Sequence, residues 1–333
     1  MTAAVLVVGP AWVGDMVMAH SLFAALKRDR PDRRLDVLAP PWTRPLLDHM
    51  PEVDGAVVQP VGRGRLGLGE RRRLARDLRG RYAWAVVLPN SFKSALVPFW
   101  ARIPRRTGYV GELRRGLLND ARRLDTARLP RTVDRFVALA GPRDAPPPEI
   151  VPPRLHVTAA HIDAALAAVG LARPDRPLLA VCPGAEYGPA KRWPAEHFAT
   201  LARRRLAQGW AVWLFGSPAD AAVTAGIAAA AEGVVDLAGR TGLSQAVALL
   251  SLADAVVTND SGLMHVAAAL GRPLVALFGS SSPAMTPPLS ERAEVLSLAL
   301  PCSPCYQRTC PLGHLNCLRG LEPERVERAL EPP

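Results

Sequence analysis

"DAVVTNDSGLMHVAAALGRPLVALFG", residues 254–279, decides the fold. Two apolar runs, 254–260 and 273–279, flank a segment of helical length that starts at Ser261 and Gly262. Short apolar runs separated by helices signal parallel strands buried on both faces. The same alternation runs back through 177–183, 210–216 and 233–239, and the first half repeats it at 3–8, 34–40, 55–60 and 84–89. Each half is therefore expected to be a doubly wound α/β domain. Between them lies "GPRDAPPPEIVPPR", 141–154, whose prolines can continue neither a helix nor a central strand. This predicts domains at 1–155 and 156–333, with the linker at about 141–155.

Length and composition agree with two lobes. A chain of 333 residues exceeds the usual single-core size. Hydrophobic residues at 49% and charged residues at 21% exclude a disordered chain. No run is long and apolar enough to span a bilayer, and the opening "MTAAVLVVGPAW" lacks the basic start of a secretory signal. The protein is thus expected to be soluble and cytoplasmic. A formal charge of +11 asks for an anionic partner: nucleic acid, a phosphorylated substrate or a membrane surface. Many arginines crowd the first half, from Arg63 to Arg81 and then at Arg102, Arg105, Arg106, Arg114 and Arg115, with a solvated face as the plain explanation. Between Arg63 and Arg81 no aromatics interleave with the arginines as a nucleic-acid surface would require, and no recognisable reading module appears.

Ligands of open α/β sheets bind where strands end and helices begin. In "VLVVGPAWVGDMVMAHSLFAAL" the first strand passes through Gly9 and Gly14 into a helix starting near Asp15. This turn is neither a dinucleotide fingerprint nor a phosphate-binding P-loop. Asp15 suits a helix dipole, but flanked by two glycines it also suits a general base. In "TNDSGLMH", Asp260 can cap the helix; alternatively the N–H groups near Ser261 and Gly262 hold a diphosphate, with His265 beside it and Asn259 as neighbour. Lys191, followed by Arg192 in "CPGAEYGPAKRWP", is one of three lysines in a chain with 41 basic residues. A compact charge on a flexible stem fits a departing diphosphate. "LPNSFKSALVPFW" offers Asn90, Ser91 and Lys93 for acceptor binding, although helix capping explains Asn90 or Ser91 equally well.

Cys302, Cys305, Cys310 and Cys317, with His314 among them, have a spacing that permits a structural zinc site, but the usual paired knuckles are absent. Nothing places this segment near the expected cleft, so it is read as structural, with no metal assigned to catalysis.

As a set, "GPAWVGDMVMAHSL", "RPLLDHMPEVD", "LPNSFKSALVPF", "CPGAEYGPAKRWP" and "VTNDSGLMHVAAALGRPLVALFGSSSP" resemble the ADP-heptose:lipopolysaccharide heptosyltransferases, their type II members most closely. The likeness covers about residues 4 to 290. It implies a GT-B glycosyltransferase: two Rossmann-like domains facing across a cleft, acceptor in the first, nucleotide sugar in the second, and no obligatory cofactor. It also implies Asp15 as the catalytic aspartate, Lys191 as the donor-site lysine, and Asp260, Ser261, Gly262 and His265 around the donor, with Asn259 and Arg192 beside them. The implied reaction moves L-glycero-D-manno-heptose from ADP-heptose to the first heptose on Kdo2-lipid A, with inversion. Peripheral contact with an anionic inner membrane would give the arginine-rich first domain a use. The rivals are a type I enzyme acting on a Kdo acceptor and, from another class, a basic nucleic-acid-binding protein.

Overall fold

The computed structural model describes residues 4–62 and 64–331; Arg63, the first of the crowded arginines, lies outside them. The chain divides into two compact units, Met1–Pro153 and Arg154–Pro333.

In the first unit the elements run β1 (Val5–Val8), α1 (Val13–Asp29), β2 (Leu35–Ala39), β3 (Gly55–Val58), α2 (Leu68–Asp77), β4 (Trp84–Val87), α3 (Leu96–Trp100), β5 (Arg105–Tyr109), β6 (Asp120–Arg122) and α4 (Thr132–Val137). The strands form one sheet, in the order β3-β2-β1-β4-β5-β6. Every pairing is parallel. The central strands β1 and β4 are buried along their whole length, as uninterrupted apolar runs demand.

The second unit runs α5 (Ala159–Val169), β7 (Leu178–Cys182), α6 (Ala195–Ala207), β8 (Ala211–Leu214), α7 (Ala221–Ala230), β9 (Val235–Asp236), α8 (Leu243–Leu250), β10 (Ala255–Asn259), α9 (Gly262–Ala269), β11 (Leu274–Leu277), β12 (Ala293–Leu296), α10 (Asn316–Arg319) and α11 (Pro323–Ala329). Its sheet order, β12-β11-β10-β7-β8-β9, is that of the first unit read from the other edge. Both are Rossmann-like. Trp193, Phe198, Val181 and Val257 lie within its core, each 0–1% exposed.

Periodicity predicts four strands in the first half and five in the second; the structure adds β5, β6 and β12. The first reads "RRTGY", the second is three residues of "DAR", and the third is half exposed at a sheet edge. None carries the apolar run that marks a central strand. The arginines also differ from a plain solvated face, because Arg71, Arg114 and Arg122 are buried.

The strand order reverses between β1 and β4 in one unit, and between β7 and β10 in the other. Ligands of open α/β sheets settle outside the carboxyl ends of strands at such a reversal. Four turns qualify: those after β1, β4, β7 and β10.

Candidate active site

Each of these four turns carries residues singled out in the sequence. After β7, residues 183–188 lead into a single 3-10 turn at Pro189–Lys191. Trp193 anchors the far end of this loop. Its indole N–H donates to the Leu321 carbonyl (2.7 Å), and its ring meets Phe198 edge-on in the core. A second fastening comes from β10. Asn259, fully buried, accepts from the Trp193 backbone N–H (2.9 Å) and donates its amide to the Pro183 carbonyl (2.7 Å). Both ends of the Asn259 carboxamide are thus used to hold the loop.

That fastening puts Lys191 beside Asp260. Its Nζ donates to Asp260 Oδ2 at 2.5 Å, and Ser281 Oγ donates to the same oxygen at 2.5 Å. Asp260 is only 6% exposed, so these two partners take the place of water around its carboxylate. The sequence left Asp260 open as a helix cap, but its carboxylate turns to Lys191 and Ser281 instead. The N-cap residue of α9 is Ser261, whose hydroxyl lies 3.3 Å from Thr258 Oγ1 and makes no capping bond. Ser261 thus leaves the first N–H groups of α9, beginning at Gly262, uncapped, and such groups favour an anion. His265, one turn on, is buried. Burial holds its pKa down to about 4, against the pull of Asp260 upward and with Lys191 adding to the fall. Near neutral pH it is an uncharged imidazole, able to donate one N–H. Arg192 lies 3.5 Å from Asp220 Oδ1 and 3.4 Å from the Ala185 carbonyl.

The cysteine-bearing segment departs from its expected place. Tyr187 Oη donates to the Tyr306 carbonyl (2.7 Å), and the Ala190 N–H donates to the Arg308 carbonyl (3.0 Å). The Tyr306 N–H donates to the Ser280 carbonyl (2.6 Å), one residue before Ser281. A side chain on Gly188 would overlap the Arg308 carbonyl oxygen, so only glycine allows this approach. The segment clasps the Lys191 loop rather than standing apart from it. Bonds that end on main-chain carbonyls, two of them more than a hundred residues away in sequence, leave no motif to read. The zinc expectation finds no support: among the described residues no group of three or more His, Cys, Asp or Glu side chains is gathered to hold a metal. Burial pushes the Cys317 thiol up, helped by the other three cysteines, while N–H groups of residues 312–315 pull the Cys310 thiol down.

In the first unit Asp15 lies in the first turn of α1 and is half-buried. The preceding turn is fixed by Trp42, whose indole N–H donates to the Ala11 carbonyl (2.7 Å). A cavity of about 190 Å³ opens beside it, lined by Gly9, Ala11, Trp42, Gln59, Ser91 and Lys93. Two predicted acceptor residues thus share a wall with the turn leading to Asp15. Among the described residues the Lys93 ammonium has no ion-pair partner. Asn90 does not line this cavity; its Oδ1 accepts from Arg114 Nη2 (3.0 Å). Arg114 itself is fully buried, and burial brings it down to about 10, still cationic near neutral pH. It also donates to the Pro89 and Tyr109 carbonyls, which makes it the strut of the β4 turn. A larger cavity of about 620 Å³ lies along β6, with Arg115, Arg122, Arg123, Arg128 and Arg143 in its wall.

These turns have counterparts in known proteins. Residues 71–316 match the model of glycosyltransferase family 9 (heptosyltransferase). The lipopolysaccharide heptosyltransferase 2 of Salmonella typhimurium is 49% identical over 335 aligned positions, covering 97% of this chain and 96% of that protein. The solved structure of the Escherichia coli ADP-heptose LPS heptosyltransferase II superimposes with a TM-score of 0.89 at 45% identity, covering 98% and 97% of the two chains. The E. coli heptosyltransferase WaaC with ADP, at 18% identity and a TM-score of 0.72, shares the fold. Sequence identity near one half along the whole length and superimposable GT-B architecture have one explanation: the chain belongs to glycosyltransferase family 9, the heptosyltransferases.

Proposed function

We propose that the chain is an inverting glycosyltransferase that moves L-glycero-D-manno-heptose from ADP-heptose to the first heptose of the lipopolysaccharide inner core. The observation that carries this reading is the Lys191–Asp260–Ser281 cluster at the uncapped start of α9. A cation and free N–H groups at one helix start are what a departing diphosphate needs. Near-full-length identity to a heptosyltransferase 2 favours a heptose over a Kdo acceptor. The likeness to the heptosyltransferase 1 of Pseudomonas aeruginosa is 32% and covers 48% of the chain.

In this reading Asp15 accepts the proton of the acceptor hydroxyl as it attacks the anomeric carbon. Lys191 and the N–H groups at Gly262 take up the charge that develops on ADP as the glycosidic bond breaks. Asp260, with Asn259, Ser261, His265 and Arg192 around it, orients the donor. Ser91 and Lys93 bind the acceptor, while Asn90 shapes their turn through Arg114. With these groups supplying positive potential, the reaction as proposed calls for no metal, and turnover should persist in excess chelator. The first unit is the acceptor domain and the second the donor domain.

The arginines of the first unit would meet acceptor phosphates and the anionic cytoplasmic face of the inner membrane. Association with vesicles should rise with anionic lipid content; indifference to it removes the membrane role. Among the described residues no helix is long and apolar enough to cross a membrane.

The deciding experiment measures ADP release from ADP-heptose with two acceptors, Kdo2-lipid A and its heptosylated form. Release with the heptosylated acceptor is expected. Release only with Kdo2-lipid A would make this a type I enzyme. No release with either, alongside salt-sensitive binding to DNA or RNA, would return the nucleic-acid reading.

A further inference from the structure

Three cations surround the loop after β7, and two of them are already paired. Lys191 is bonded to Asp260, and Arg192 faces Asp220. The third is Arg308. It is exposed, and among the described residues its guanidinium makes no hydrogen bond or ion pair. Its Cζ lies 5.1 Å from the centroid of the Tyr187 ring, and Lys191 Nζ lies 5.2 Å from the same centroid. One aromatic ring thus holds both charges at cation–π distance.

The position of Arg308 is set by its main chain. Its carbonyl accepts from Ala190, next to Lys191, and presses so closely on Gly188 that no side chain fits there. Its guanidinium, beside the Tyr187 ring, keeps its hydrogen-bond donors without a partner among the described residues.

The charge balance gives that side chain a task. Lys191 shares its field with the Asp260 carboxylate, so its attraction for a diphosphate is reduced and a further cation at the same loop adds to it. An additional unpaired cation raises the potential where negative charge collects. A guanidinium suits this because its planar fork can donate two parallel bonds to phosphate oxygens.

We propose that Arg308 is a second cation for the donor's diphosphate, supplied by the cysteine-bearing segment. The inference rests on the reading of this unit as the nucleotide-sugar domain.

Calorimetric titration with ADP and with adenosine tests it. Arg308→Ala should weaken ADP by about 10-fold while leaving adenosine unchanged, and should flatten the dependence of ADP affinity on salt. Arg308→Gln, which keeps length and polarity without charge, should match the alanine variant. Arg308→Lys should recover part of the loss. None of these changes touches the carbonyl that holds the loop. ADP affinity unchanged in Arg308→Ala, or adenosine weakened as much as ADP, would overturn the proposal. A wild-type chain that does not bind ADP overturns the donor assignment itself and this inference with it.

Discussion

At the ends of β7 and β10 the lysine is fastened, bonded to a buried carboxylate on a loop stapled by Asn259 and clasped by residues 306–308. At the ends of β1 and β4 the lysine is loose: Lys93 faces a cavity of about 190 Å³ with no ion-pair partner among the described residues. The two sheets have the same strand order, so topology does not make this difference. Side chains do. The first rim is preorganised around one small charged group, which lowers the cost of reorganisation when charge appears. The second leaves its cation to be organised by what it binds.

The contrast breaks most sharply at Asp15. Asp15→Asn should cut turnover about 100-fold or more while ADP-heptose affinity stays nearly intact. Stopped assays with calorimetry of the donor check this, and full activity would reduce Asp15 to a helix-end carboxylate. Lys191→Ala should come next, lowering turnover about 10- to 100-fold and weakening ADP as well, because it also leaves Asp260 with Ser281 alone. An unaltered ADP isotherm would deny the fastened rim its function. Lys93→Ala should raise the acceptor KM a few-fold and leave the donor KM alone, as expected of a residue that contributes only uniform binding. A change in donor KM would mean that the rims do not divide the substrates.

The smallest effect concerns pH. The folded pKa of His265, about 4, lies below its unfolded value near 6.5. Its contribution to stability is therefore full above about pH 6.5 and is lost as pH falls toward 4. Between pH 7.5 and 5.5 this costs about 1 kcal/mol, and His265→Asn should remove that part of the dependence. Denaturant melts at the two pH values report it; an identical slope in the variant would reject a neutral buried imidazole.

Much of the architecture was legible because buried parallel strands must be apolar runs, and the runs at 177–183 and 254–260 say so directly. The strands at Arg105–Tyr109 and Asp120–Arg122 were not legible, since they are fixed by pairing in the sheet, β5 with β4 and β6 with β5, rather than by an apolar run of their own. The turns bearing Asp15, Lys191 and Asp260 were readable from residue type and strand position. The buried strut at Arg114 looked like one more surface arginine. Nor could sequence show that Tyr306 and Arg308 touch the Lys191 loop, because the contacts run through carbonyl oxygens that every residue possesses.

The Asn259 staple ties the fate of a loop to the fate of the sheet. The Trp193 amide sits outside any strand, yet its bond ends on the last residue of β10 and is fully buried. In deuterated water it should exchange on the slow timescale of the sheet amides rather than the fast one of surface turns. If it does, the Lys191 loop opens only when the sheet of this unit opens, and its order is a property of the whole unit rather than of the loop.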